Sequence, residues 1–334
     1  MQVRIHYKLE DIKEKYTTLS NECFYFQSYE FLFNKIKSMK LKHLFLRSKY
    51  LFLEVLSDKN KTILILPIEK IKNRYYAIQM LDYYDLVFNK ECDNETLSKA
   101  LKLIADTLNS DLIFENVTEN SKLFQLLNIE DSYLEMDYFY ESKKIREGAK
   151  ILLTESDYNA YFSKISKSNR QNIRTAYNRI EKDSFHYELK IYKGVLPCKL
   201  AKKLQKIYKL RYKNKNSSFN KRIMIAFYEP LSLICSKSQR GFTAILYINN
   251  EIAGYLIGFG DNPDNSIIIP RLSINPKYSK YSPGILLINE LIKDNFDKHY
   301  FQILDLGVGD ESYKKVMGAD FYNVYKIKLV HNKG

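Results

Sequence analysis

Apolar residues recur along this chain with two different periods, and the changes between them mark out its elements. In the first half, helical spacing is expected over Tyr29–Met39, followed by strand-like runs at Lys49–Leu56 and Thr62–Ile68. A further pair of strands is read at Tyr75–Met80 and Leu86–Phe88. Leu97, Leu101, Ile104 and Leu108 then step by four, three and four, which predicts a helix over Glu95–Leu108. A short strand at Asp111–Phe114 and a helix at Glu119–Leu127 complete a mixed α/β unit. The polar stretch Ser142–Lys150 holds Gly148, the first glycine of the chain, and is read as the boundary between domains 1–148 and 149–334.

Beyond the boundary, Ser156–Asp183 is predicted as one helix, with Ile165, Ile173, Tyr177 and Ile180 on one face, and Lys199–Tyr212 as a second, lysine-studded helix. From Gly241 the period changes to two. Phe242–Ile248 and Glu251–Gly260 read as a hairpin turning at Asn249-Asn250, because asparagine tolerates positive φ. A polar loop at Asp261–Asn265 leads to a strand at Ile267–Ile274, then NPKYSKYSPG and a helix from Ile285. A strand at Phe301–Gly307, a helix near Glu311–Met317 and a last strand at Tyr322–Val330 follow.

Composition narrows the function classes. The chain has 334 residues, 45% of them hydrophobic, which suits packed cores and excludes a disordered chain. Only 11 residues are glycine, which disfavours folds built on several glycine-rich loops. The N-terminus mixes both charge signs and lacks the apolar stretch of a signal peptide, and the most apolar short run, Ile63–Leu66, is strand-sized. A cytoplasmic protein without a membrane span is the expectation. Cys23, Cys92, Cys198 and Cys235 are isolated, so neither a disulfide framework nor a metal site is expected. The net charge of +14 is concentrated between Ile151 and Pro230, where 18 Lys/Arg stand against 6 Asp/Glu. Such a block suits phosphates, nucleic acid or another anionic surface, and equally a pair of solvated helices.

The order strand, strand, strand, helix, strand, helix, strand after Gly241 resembles the GNAT acyltransferase core. INPKYSKYSPGILL (Ile274–Leu287) resembles the segment that holds the coenzyme A pyrophosphate, with Pro283 and Gly284 opening a helix whose N–H groups and dipole suit an anion. Ser279 and Ser282 depart from the general pattern, and Tyr-Ser-Pro-Gly followed by Leu-Leu resembles the acetyltransferase-like domains associated with cellulose and other polysaccharide biosynthesis. SKSNRQNIRTAYNRI (Ser166–Ile180) and DLGVGDESYKKVMGA (Asp305–Ala319) resemble that branch's basic entry helix and closing motif. The N-terminal half is similar to the companion domain of these proteins, and the length suits the tandem arrangement of the Fem-type peptidoglycan aminoacyl transferases. The implied fold is α/β: a mixed, mostly antiparallel GNAT-type sheet flanked by helices, twice in tandem.

The resemblance implies acyl-CoA as co-substrate, with no metal, and a cradle of Ile274, Lys280, Tyr281, Ser282, Gly284 and Ile285. It also implies that Tyr313 protonates the departing thiolate. Asp305, Asp310 and Glu311 cluster near the end of the Phe301–Gly307 strand and are candidates to orient the nucleophile, although Asp310 and Glu311 equally suit helix capping. Arg170 and Arg174 share a helix face and suit a phosphate or carboxylate clamp. Arg271, inside the apolar strand IIIPRLSI, must be paired or line a cleft, and Tyr255 is placed with it on the acceptor side. The expected acceptor is an amine or a sugar-like small molecule or glycan in envelope or polysaccharide assembly, with an anionic group suggested by the surrounding charge. Transfer of an aminoacyl group from tRNA to a peptidoglycan precursor is the alternative, followed by non-catalytic nucleic-acid binding. GVGDES (Gly307–Ser312) lacks the third glycine of a dinucleotide fingerprint, which excludes a nicotinamide enzyme.

Overall fold

The computed structural model describes residues 1–38, 48–78, 83–128, 138–213, 237–260 and 262–331. Residues 79–80 of an expected strand, Asp261 of an expected loop, Cys235 and residues 214–230 of the basic block lie outside them. The chain forms two compact units, Met1–Glu147 with Tyr322–Gly334, and Gly148–Phe321. The last strand, expected with the second unit, is thus grouped with the first.

In the first unit, β1 (Gln2–His6) is followed by α1 (Lys13–Ser20) and α2 (Tyr29–Ser38), then by β2 (Lys49–Leu56), β3 (Thr62–Ile71), β4 (Arg74–Ala77) and a short β5 (Val87–Phe88). Next come α3 (Asn94–Leu108), β6 (Leu112–Thr118) and α4 (Lys122–Leu127). The sheet runs β1-β2-β3-β4-β6 and ends on the chain's last strand, β13 (Asp320–His331). All its pairs are antiparallel except β4 with β6. Strands β2 and β3 are almost wholly buried, as their unbroken apolar runs require.

Burial inside this unit requires one charged group to be paired. The Glu54 side chain is fully buried, accepts from Thr62 Oγ1 at 2.6 Å and Lys15 Nζ at 2.7 Å, and lies 3.0 Å from His6 Nε2. Burial pushes its carboxyl up, but the hydrogen bonds from Lys15, Thr62 and His6 together hold it below the usual glutamate value. With the folded-state pKa depressed, this stabilisation is complete above the unfolded value of about 4.3 and lost as pH falls through the folded one. Glu54→Gln is therefore expected to flatten the acid limb of stability against pH. Urea midpoints measured across that limb check this, and an unchanged limb refutes it.

The second unit repeats the plan. After the end of β7 (Tyr138–Leu152) come α5 (Tyr158–Lys164) and α6 (Lys167–Lys182), β8 (Tyr187–Lys193), α7 (Cys198–Lys213), β9 (Gly241–Ile248), β10 (Glu251–Phe259) and β11 (Ser266–Ile274). Then follow α8 (Pro283–Lys298), β12 (Ile303–Val308) and α9 (Ser312–Val316). The sheet order is β8-β9-β10-β11-β12-β7, antiparallel except for β11 with β12. Each unit thus has four consecutive antiparallel strands, one parallel pair reached through a helix, and a closing antiparallel strand. Two such mixed, mostly antiparallel sheets in one chain are the tandem GNAT-type arrangement expected from the sequence.

Three local expectations change. The single helix over Ser156–Asp183 is two, because Ile165 is extended and the Ser166 side chain accepts from the Asn169 N–H as a new N-cap. β8 has no counterpart in the sequence reading. Ser142–Lys150 is strand throughout: from Gly148 the chain pairs with β12, so hydrogen bonding to a neighbour overrides a polar composition. The core of the second unit lies where α6 and α8 meet the sheet, around Ile173, Ala176, Leu287 and Leu291. Ala201, Leu204 and Ile207 bury α7 apart from that cluster, against β11.

Candidate active site

The parallel strands β11 and β12 pair only over Ser266↔Ile303, Ile267↔Leu304 and Ile268↔Asp305. Beyond that point β11 remains on β10 as far as Ile274, and β12 remains on β7 as far as Val308. The two strands therefore separate, and a register shift opposite Ile257–Phe259, beside Pro270, marks the place. Proline cannot donate to the ladder, so the break occurs where the sequence removes a hydrogen bond. A cleft of about 700 Å³ opens between them, lined by β11 from Ile269 to Ile274, by Leu306 and Val308 of β12, and by the start of α8. Tyr208 and Leu210 of α7 form one wall, and Glu311, Tyr313 and Lys314 another.

The floor is the segment between β11 and α8. Pro276–Tyr281 forms a 3-10 turn, Ser282 takes a left-handed conformation (φ 51°), and α8 begins at Pro283 with no side chain capping it. An ideal Cβ on Gly284 would stand 3.4 Å from a Leu272 methyl and 3.7 Å from an Ile274 methyl, so the backbone here lies close against β11. An uncapped helix start bared by glycine at the bottom of a cleft fits a pyrophosphate. The basic side chains of this segment point elsewhere. Lys280 pairs with Asp183 at 2.7 Å, and Lys277 with Glu251 at 2.7 Å. The Tyr281 ring is buried in the core, with its hydroxyl on Asp183 at 2.5 Å. Ile274, Ser282, Gly284 and Ile285 line the cleft and Lys280 and Tyr281 do not, so what this segment offers the cleft is chiefly backbone. Arg179 of α6 donates to the Lys280 carbonyl at 2.9 Å and holds the segment from behind, a role with no local sequence signal.

The remaining candidates divide in the same way. Tyr313 is half-buried and lines the cleft. Of the three acids, Glu311 alone lines it; Asp305 is buried and accepts the Gly307 N–H at 2.7 Å, which fixes the turn after β12, and Asp310 faces solvent. Arg271 lines the cleft with its guanidinium 3.9 Å from the centre of the Tyr208 ring. Tyr255 is fully buried and is not among the lining residues. Arg170 is occupied by the carbonyls of Ser163 and Ile165, at 2.6 and 2.7 Å, and closes the end of α5. Arg174 is exposed and lies over Phe162 at 5.7 Å. The pair shares a face as expected, but the structure does not bring it to the cleft.

Sequence reasoning missed Lys314 and Tyr208. Lys314 Nζ is buried and donates to the carbonyls of Gly307 and Gly309, at 2.9 and 3.0 Å, with Glu311 at 3.1 Å. It pins the loop that carries Glu311 and Tyr313. Gly309 (φ 129°) permits this path, because an ideal Cβ there would stand 2.5 Å from the Glu311 carboxylate. The one signal in the sequence was the closing motif itself.

The first unit has no equivalent cradle among its described residues. Its corresponding helix, α3, starts under Asp93, whose carboxylate accepts the Thr96 N–H at 2.8 Å, with Glu95 beside it. A phosphate there would meet like charge in place of free donors.

Comparison with known proteins agrees with this geometry. Residues 167–315, most of the second unit, match the family model described as an acetyltransferase (GNAT) domain. No curated protein sequence matches the chain. Among solved structures, FemX aligns over 100% of this chain and 98% of its own with a TM-score of 0.62 at 10% identity. A conserved protein of unknown function from Bacteroides thetaiotaomicron aligns over 98% and 100%, with a TM-score of 0.60 at 10% identity. L-PGS from Bacillus licheniformis aligns over 86% and 85%, with a TM-score of 0.53 at 12% identity. At such identities these likenesses establish the fold. Among the described residues no helix is long and apolar enough to cross a membrane, and no group of side chains is arranged to hold a metal ion.

Proposed function

We propose that the protein transfers an acyl group from acyl-CoA to an amine or hydroxyl of a small-molecule or glycan acceptor in envelope or polysaccharide assembly. The observation that carries this reading is the separation of β11 from β12 above an uncapped, glycine-bearing helix start. A pyrophosphate at Ser282–Ile285 would leave the pantetheine arm lying along the open edge of β11 and the thioester near Tyr313. The acceptor nitrogen then bonds to the thioester carbon, the C–S bond breaks, and Tyr313 gives its phenolic proton to the sulfur. Glu311, at the cleft wall, takes the proton lost by the acceptor through water. Arg271, backed by Tyr208, faces the acceptor side and suits a carboxylate or phosphate on it.

Titration calorimetry with acetyl-CoA tests the reading. The wild type is expected to bind, and Gly284→Asp to lose at least about 100-fold in affinity. The new carboxylate would repel the phosphates and crowd Leu272. Absence of binding by acetyl-CoA and by longer acyl-CoAs would sink the acyl-CoA assignment and leave the Fem-like aminoacyl-tRNA donor as the reading to test.

A further inference from the structure

Several lysines of the second unit are paired. Lys164, Lys190, Lys277, Lys280 and Lys298 each lie within 3.2 Å of a carboxylate oxygen. Others are not, and among the described residues of this unit they are densest on helix α7. Its sequence, CKLAKKLQKIYKLRYK, contains no acidic residue. Lys199, Lys202, Lys203, Lys206 and Lys209 are all exposed, and none forms an ion pair with a described residue. Their steps of three, one, three and three keep them on one side of the helix, opposite the buried Ala201 and Leu204. A solvated helix face ordinarily mixes signs, because i,i+3 and i,i+4 like charges repel. Five without a counter-charge among the described residues form a face suited to an anionic partner.

We infer that this lysine face of α7 docks the protein on an anionic lipid bilayer. Three features favour a bilayer over a nucleic acid. The charges of the described face, Lys199 to Lys209, are all lysine, compact and strongly hydrated, and lack the bidentate fork that grips individual phosphates. The described face offers no aromatic platform for bases, since Tyr208 lies under Arg271 in the cleft. At 16 residues the helix is about 24 Å long and presents its charges as one straight stripe, the shape that meets a plane of headgroups. Val195, three residues before the helix, is 50% exposed, and an apolar side chain there can enter the headgroup layer. Because the same helix supplies Tyr208 and Leu210 to the cleft, docking would bring the acceptor wall to the membrane surface. The docking itself stands apart from the choice of acyl donor.

Co-sedimentation with vesicles tests this, using the full chain at moderate salt. The wild type is expected to partition onto phosphatidylcholine vesicles containing phosphatidylglycerol and to leave pure phosphatidylcholine in solution. A lysine near such a surface contributes about fivefold, so Lys199→Gln, Lys202→Gln, Lys203→Gln and Lys206→Gln combined should weaken partitioning several hundredfold. The four substitutions replace exposed side chains outside the cleft, so an unchanged melting temperature and unchanged acetyl-CoA binding, where the wild type binds it, serve as controls. Equal binding to both kinds of vesicle, or undiminished binding by the quadruple variant, overturns the proposal. So does a preference for tRNA over the anionic vesicles at matched phosphate that the quadruple variant loses, which would assign the face to nucleic acid.

Discussion

Tyr313→Phe is expected to lower kcat for acyl transfer by about 100-fold or more, with acetyl-CoA affinity held within about twofold. The change removes one oxygen from a half-buried ring at the cleft wall and leaves the ring in place. Free phenol and thiol side chains have pKa values of about 10 and about 8.5, close enough for a proton to be shared as a C–S bond breaks. The proposed pyrophosphate cradle is backbone at the start of α8 and does not involve Tyr313, so binding and chemistry should separate cleanly in this variant. Steady-state kinetics together with calorimetry make the measurement. A variant that retains more than about a third of kcat would show that the thiolate leaves without help from this residue, and the acid would have to be sought elsewhere along the cleft.

The parts of this architecture visible in the sequence are those set by local chemistry. The hairpin at Asn249-Asn250 was readable because both residues must take positive φ, and they do, at 48° and 63°. The start of α8 was readable because Pro283 and Gly284 each have one physical use there. The invisible parts depend on partners distant in sequence. Lys280 looked like a phosphate ligand until Asp183, 97 positions earlier, appeared beside it. Arg170 looked like half of a clamp, and its true neighbours are carbonyls at the end of α5, a break in the helix that the apolar spacing concealed. Tyr208 could not be connected to Arg271 because nothing in either segment fixes which face of α7 meets β11. Charge signs can be counted along a sequence, but which charges cancel is decided only by the fold.

Lys314 makes that last point quantitative. Its ammonium is 1% exposed, and its three donors go to Gly307, Gly309 and Glu311. Burying a cation costs several kcal/mol unless it is paired and hydrogen-bonded, and here two carbonyls accept from it and a carboxylate lies 3.1 Å away. Lys314→Met keeps the volume of the stem and removes the donors, leaving two carbonyls of the loop without their partner. The expected loss is about 2–4 kcal/mol, a large share of the 5–15 kcal/mol of a typical domain. Lys315→Met, one position along and exposed, should stay within about 0.5 kcal/mol. The comparison matters because the two lysines are indistinguishable by composition. Urea unfolding of both variants decides it, provided the m-value is unchanged so that the midpoint reports stability. If Lys314→Met unfolds at the wild-type midpoint, the loop is held by backbone contacts alone. Tyr313 and Glu311 would then owe their positions to α9 and not to this buried charge.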